Sequence, residues 1–489
     1  MSNDPDTRQI KTLDKDLGRL GRLEAATMYV SRPLIAPGLA LIFVVVVGLA
    51  ASAFVGTDPR GIVVIAAAVF GAYMALNIGA NDVANNMAPA VGARALTMAN
   101  ALVIAALCET AGALLAGGDV VGTVSRGIIA PAAVAETNTF IRAMMAALIA
   151  AALWINLATW VGAPVSTTHS VVGGVMGAGI AAAGFAAVNW ATMGQIAASW
   201  VISPVMGGVL AALFLWFIKE RILYQQERIV ASRLWVPILI GVMAGTFATY
   251  MAIKGLARLV DIALGPAVVI GVIVGTATTF LMRPVIRRQS VGLENRKKSV
   301  KTLFAVPLIF SAALLSFAHG ANDVANAVGP LAAIVHAVQS GGTDGEVIIP
   351  LWVMLIGAVG LSVGLLLFGP KLIRMVGSEV TRLNAVRAYC VALAAAITVI
   401  IASWLGLPVS STHIAIGGVF GVGFFREWYG ENILKKNRGN YALPIEERKR
   451  RKLVRRSHFL TIIAAWVVTV PAAALLSAGM FLLLVLITA

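Results

Sequence analysis

The sequence predicts an all-α polytopic membrane protein made of two inverted-topology repeats, with broken helices, re-entrant or half-helix hairpins and about 12–13 membrane segments. Three observations predict this. The 489 residues are 59% hydrophobic and only 12% charged, against about 25% charged in soluble domains. Two motifs are each written twice, at nearly equal offsets. Most of the cations, 28 of 38, lie in four polar segments that all fall on one side when the apolar runs are threaded through a bilayer.

Apolar runs lie at about 34–55, 61–92, 95–116, 141–161, 164–182, 192–217, 235–254, 265–282, 303–338, 348–369, 388–405, 408–425 and 457–487. Helix is the default for each, because a backbone in lipid must satisfy its own hydrogen bonds. Residues 1–33 are polar and mixed in charge, with no cleavable signal pattern, and read as a cytoplasmic N-terminal region. Residues 34–55 read as an extra membrane helix, 61–217 as the first repeat, and 218–302 as a connecting helix pair with a basic cytoplasmic loop. Residues 303–487 read as the second repeat, with a basic cytoplasmic insertion at 426–456.

A net charge of +16 suggests nucleic-acid binding, but the placement of the charge excludes it. Of 38 Lys+Arg, 6 lie in 1–33, 4 in 219–233, 7 in 283–301 and 11 in 426–456. With the N-terminus inside, all four segments are cytoplasmic, as the positive-inside rule requires. The loops outside then hold five cations, Arg60, Arg126, Arg142, Lys254 and Arg258. Cys108 and Cys390 sit in apolar runs and match no metal spacing.

The first repeated motif is Gly79-Ala80-Asn81-Asp82-Val83-Ala84-Asn85, identical to Gly320-Ala321-Asn322-Asp323-Val324-Ala325-Asn326, with Pro89 and Pro330 four residues on. The second is Gly162-x-Pro164-Val165-Ser166-Thr167-Thr168-His169, echoed by Gly406-x-Pro408-Val409-Ser410-Ser411-Thr412-His413. Residues 157–179 and 401–423 share 13 of 23 positions. The threading places the first Asn-Asp copy on a run entering from outside and the second on one entering from inside, so the repeats are inverted.

The acids within apolar runs are Asp82, Glu109 and Asp323. A carboxylate in lipid is costly and marks an ion or proton path. Asn81, Asp82 and Asn85, with Asn322, Asp323 and Asn326, supply hard oxygen ligands for Na⁺ or a proton path. Asn85 follows Asp82 by three residues and shares its helix face. The Gly-Ala before and the proline after each motif favour a helix break there. Pro164 suits a helix start, and Ser166 to Thr168 can cap it. A capped N-terminus with hydroxyls binds oxyanions. An anion beside two carboxylates, without an adjacent Arg or Lys, needs a cation or proton with it. These residues therefore imply cation- or proton-coupled anion symport, and hydrogen phosphate, which can donate to Asp82 or Asp323, is favoured over sulfate. His169 and His413 are packing or supporting residues. His319 is matched by Ile78 in the first copy and is not ranked as a ligand. Trp154, Trp160 and Trp404 read as packing.

At these motifs, and over both halves, the sequence resembles the inorganic phosphate transporter (PiT) family. Trp154, Asn156 and Trp160 fit the family's pattern as well. The resemblance implies a symporter of inorganic phosphate, not an enzyme, in the cell (inner) membrane. It implies phosphate contacts from Ser166, Thr167, Thr168, Ser410, Ser411 and Thr412, with Asp82 and Asp323. It implies a coupling Na⁺ or H⁺ at Asn81, Asp82, Asn85, Asn322, Asp323 and Asn326. Glu109 matches an acid of the family's first half and joins the coupling set. A Na⁺ ion would sit at Asp82, Asn85, Asp323 and Asn326. Some members carry an acid where this chain has Ala392, which leaves H⁺ as well placed as Na⁺. The expected partners are phosphate, the coupling cation and the bilayer, with a homodimer left open and no cofactor beyond the coupling ion. The alternatives are a sulfate or other oxyanion transporter of the same fold, and an ion channel.

Overall fold

Among the described residues the apolar runs become helices, and polar side chains start several of them. The computed structural model describes residues 34–488 except 56–59, 131–132, 135, 162–164, 256–261, 344–346, 380–382 and 439–455. The N-terminal region 1–33, Gly162, Pro164 and most of the basic insertion lie outside the described residues.

In chain order the helices are α1 (Leu34–Val55), α2 (Gly61–Gly92), α3 (Met98–Ala116), the short α4 (Gly118–Gly122), α5 (Thr137–Val161), α6 (Thr167–Ala183), α7 (Trp190–Ile218), α8 (Arg228–Tyr250) and α9 (Leu264–Gln289). The second half holds α10 (Lys297–Leu303), α11 (Ala305–Asp323), α12 (Ala325–Ser340), α13 (Leu351–Glu379), α14 (Ala385–Trp404), α15 (Ser411–Arg438) and α16 (Arg456–Thr488). Side-chain caps fix several starts. Thr97 accepts from Asn100 N at 3.3 Å, Asn189 from Thr192 N at 3.2 Å and Asn384 from Arg387 N at 3.0 Å. Among the described residues the β contribution is one isolated bridge, Ile129 to Val188.

Of the about 12–13 segments expected, eleven helices among the described residues are long and apolar enough to cross a membrane in full. The two runs that drop out are those carrying the Ser-Thr motifs. α6 has 17 residues, about 26 Å of helix. The apolar part of α15 ends where Arg426 enters the sequence.

The helices pair across the two halves by exchange. α2 packs on α13 while α3 packs on α11, α6 packs on α16 while α15 packs on α7, and α5 meets α16 while α14 meets α7. Glycines at the head of the Asn-Asp motifs permit the first exchange. A Cβ on Gly79 would overlap the backbone of Leu361 on α13, and one on Gly320 would overlap the backbone of Glu109 on α3. α8 and α9 pack on each other through Gly241, Gly245, Gly271 and Gly275, the small-residue contact usual between helices in lipid.

The expected helix break occurs in one copy of the Asn-Asp motif. α11 ends at Asp323 and α12 resumes at Ala325, whereas α2 runs unbroken through Asn81, Asp82 and Pro89 to Gly92. A proline removes one backbone donor, and α2 nonetheless continues past Pro89 to Gly92.

Candidate functional site

Each Ser-Thr motif folds as an extended step followed by a helix start. Ser166 has φ −87° and ψ 123°, and its Oγ accepts the backbone N–H of His169 at 3.1 Å. Ser410 accepts that of His413 at 3.3 Å. Gly406, just before the second start, has φ +66°, a left-handed turn that glycine adopts without strain. The capping serines place the next two hydroxyls of each helix, Thr167 and Thr168, Ser411 and Thr412, inside the protein, all buried. The two starts meet: the His169 ring lies 4.5 Å from that of His413 and 3.9 Å from that of Trp200. Trp200 in turn donates to Pro408 O at 3.1 Å.

These hydroxyls converge on the acids of the other motif. Thr167 donates to Asp82 Oδ2 at 2.9 Å, and Thr412, from the other half, donates to Asp82 Oδ1 at 3.1 Å. Asn85 donates to Thr412 at 2.7 Å and to Asp82 Oδ1 at 3.2 Å. Ser411 donates to Asp323 Oδ2 at 3.3 Å, and Asn326 donates to Thr168 at 3.2 Å. Asp82 and Asp323 are each 1% exposed, so each charged form depends on these donors.

His319 stands at the centre of the cluster, and it is the residue the sequence reading set aside. Its Nε2 is 2.9 Å from Asp323 Oδ2 and 3.8 Å from Asp82 Oδ2, and its Nδ1 is 3.2 Å from Glu109 Oε1. Asn86 donates to the same Glu109 oxygen at 3.0 Å. The three intramembrane acids are therefore gathered around one fully buried imidazole. Asp82, His319 and Asp323 also present ligand atoms close enough together to share a metal ion. Asp323 Oδ1 and Asn326 Oδ1 are buried without a hydrogen-bond donor among the described residues, which is the donor set a hard cation takes.

The structure gathers Asp82, Asp323, Glu109, Asn85, Asn326, Thr167, Thr168, Ser411 and Thr412, and it uses the oxygens of Ser166 and Ser410 as caps. Asn81 and Asn322 face elsewhere. Asn81 donates to Thr159 at 2.8 Å. Asn322 donates to Ser403 at 3.0 Å and to Leu407 O at 3.1 Å, and it accepts from Val409 N at 3.2 Å. Both asparagines tie the Asn-Asp helix to the segment leading into a Ser-Thr helix, and so position the hydroxyls. Asn156 donates to Asn77 at 3.2 Å, Trp160 is exposed, and Ala392 is buried in α14.

Known proteins match this chain over most of its length. The sequence profile of the Phosphate transporter family matches residues 78–477. A Helicobacter pylori (strain ATCC 700392 / 26695) protein whose name assigns it as a phosphate permease is 43% identical, over 96% of this chain and 98% of its own. A Thermococcus kodakarensis protein with the same kind of name is 35% identical, over 86% of this chain and 97% of its own. A solved structure titled the sodium-dependent phosphate transporter superposes with a TM-score of 0.76 at 34% identity, covering 87% of this chain and 99% of that one. The doubled motifs, the all-helical exchange-packed bundle and these matches make the chain a member of the phosphate transporter family, a multi-pass membrane permease and not an enzyme.

Proposed function

We propose that this chain is a secondary active symporter carrying inorganic phosphate together with Na⁺ or H⁺ across the cell's inner membrane. The observation that carries the reading is the single buried network joining the Ser-Thr helix starts to Asp82 and Asp323. Phosphate oxygens need the donors that the carboxylates now accept. When Thr167, Ser411 and Thr412 turn to an anion, Asp82 and Asp323 lose these hydroxyl donors inside a dry interior and keep only Asn85 and His319 beside them. A buried charge without a partner costs several kcal/mol. A Na⁺ ion or a proton arriving with the phosphate removes that penalty, so anion and cation bind together. The helix N-termini capped by Ser166 and Ser410 add positive dipole ends.

Two residue sets serve the two coupling ions. The oxygens of Asp82, Asn85, Asp323 and Asn326 suit Na⁺. His319, between Asp323 and Glu109, suits H⁺, because an imidazolium offers an N–H to each carboxylate. In this reading 61–217 and 303–487 are the two halves, oppositely directed, with 218–302 connecting them and the N-terminus in the cytoplasm. The cationic segments and the exchanged helix pairs support that layout.

The test is uptake of radiolabelled phosphate into proteoliposomes with Na⁺ and pH gradients imposed separately. Accumulation driven by one of them is expected, unaffected by excess sulfate. If neither gradient drives accumulation, symport is wrong.

A further inference from the structure

One face of α7 lines a groove on the bundle's outer surface. Val201, Val205, Val209 and Ala212 recur at three- and four-residue steps and so share a face. They line a groove of about 1120 Å³, walled by Phe424 and Trp428 of α15 and by Val467 of α16. The lining is apolar except for His169 at the deep end. Trp216 and Glu220 continue the same face into a smaller, polar cavity of about 320 Å³. Along α15 the groove runs from Gly417 to Trp428, about 16 Å of helix, close to half of a hydrocarbon core about 30 Å thick.

The mouth of this groove is cationic. Lys219 is 8% exposed, with its Nζ 5.1 Å from the ring of Phe425, a groove residue, and 4.0 Å from the ring of Tyr429. Arg426 directly follows Phe425, and the Nζ of Lys297 lies 4.5 Å from the ring of Tyr224, which stacks on Tyr429. The acids there are Glu220, which accepts from the Tyr429 hydroxyl at 2.7 Å, and Glu427, next to Arg426. The cations outnumber them, and they sit where the apolar lining ends at Trp428.

We propose that this groove binds a two-chain anionic phospholipid, its acyl chains along α7 and α15 and its headgroup phosphate at Lys219 and Arg426. The charge favours this occupant. A second copy of the chain meeting itself through this face would bring the same cations together. The deep end gives the lipid a route to the polar cluster. His169 directly follows Thr168 and packs on Trp200, so an acyl chain in the groove backs the turn that carries the Thr167 and Thr168 hydroxyls.

The test uses the full chain, delipidated and returned to nanodiscs of phosphatidylcholine mixed with phosphatidylglycerol, with retained lipid read by native mass spectrometry. Wild-type protein is expected to retain phosphatidylglycerol in preference to phosphatidylcholine. Arg426→Gln, at an exposed position, should weaken that preference about fivefold. Val205→Trp fills the groove from an exposed position and should abolish retention with the cations intact; Val209→Phe is the second variant if Val205→Trp lowers the melting temperature. Equal retention by wild type and variants would mean an ordinary lipid annulus and overturn the proposal. So would a wild-type dimer that Val205→Trp splits without changing lipid retention, because a second copy would then cover the groove.

Discussion

The two copies of the motif pair build the same connections in four places and part company around the acids, where Asn85 also donates to Asp82 while Asp323 Oδ1 has no donor among the described residues. Thr167 to Asp82 is matched by Ser411 to Asp323, Asn85 to Thr412 by Asn326 to Thr168, Asn81 to Thr159 by Asn322 to Ser403, and the Ser166 cap by the Ser410 cap. A further one-sided connection is Thr412 to Asp82 at 3.1 Å, whose counterpart would be Thr168 to Asp323. Thr168 donates instead to Val409 O at 3.0 Å, and Asp323 faces His319. The first half has Ile78 at that position. The repeated motifs thus set matching polar atoms in both halves, and the unmatched His319 stands nearest the acid that hydroxyls from only one half hold.

The largest expected effect comes from removing either charge. Asp82→Asn and Asp323→Asn should each lower concentrative phosphate uptake about 100-fold or more, given what an unmatched buried partner costs. Normal transport by both variants refutes their coupling role. His319→Gln probes the difference between the copies. It keeps a donor but no titratable ring, and pH-driven uptake should fall about 10- to 100-fold; an unchanged rate reduces His319 to packing. Asn85→Ala and Asn326→Ala remove matched donors and should raise the phosphate KM by about fivefold each. Unequal losses would show that the copies divide the work. The smallest change is expected from Ser166→Ala and Ser410→Ala, each costing about 1 kcal/mol of helix capping, read as a small drop in melting temperature. A KM that rises as well separates anion contact from capping.

Much of the site was legible because its residues are written twice. An acid in an apolar run is conspicuous once, and twice at matched offsets it locates a site. The helix starts were legible from Ser-Thr following Pro. His319 is invisible to the repeat, because it has no counterpart in the first copy, where Ile78 stands. The usable signal was its place four residues before Asp323, one helical turn away on the same face. Asn81 and Asn322 stand next to their aspartates, about 100° around the helix, so they turn toward neighbouring segments while Asn85 and Asn326 stay with the cluster. The groove beside α7 and the exchanged pairing were illegible for a different reason: periodicity says that a helix has an apolar face, not which helix covers it.

The exchange has a consequence for how the chain is made. Glu109 lies on α3, whose partner α11 brings His319, about 210 residues further along. At about 5–20 residues per second of synthesis, Glu109 and Asp82 reach the bilayer roughly 10–40 s before the imidazole that gathers them exists. During that interval the first half holds two intramembrane acids that still lack Thr412 and His319, on helices whose apolar faces await α11 and α13. Proteolytic surveillance of a truncated chain would read this state, and a chain stopped between α9 and α11 should be degraded far faster than one completed.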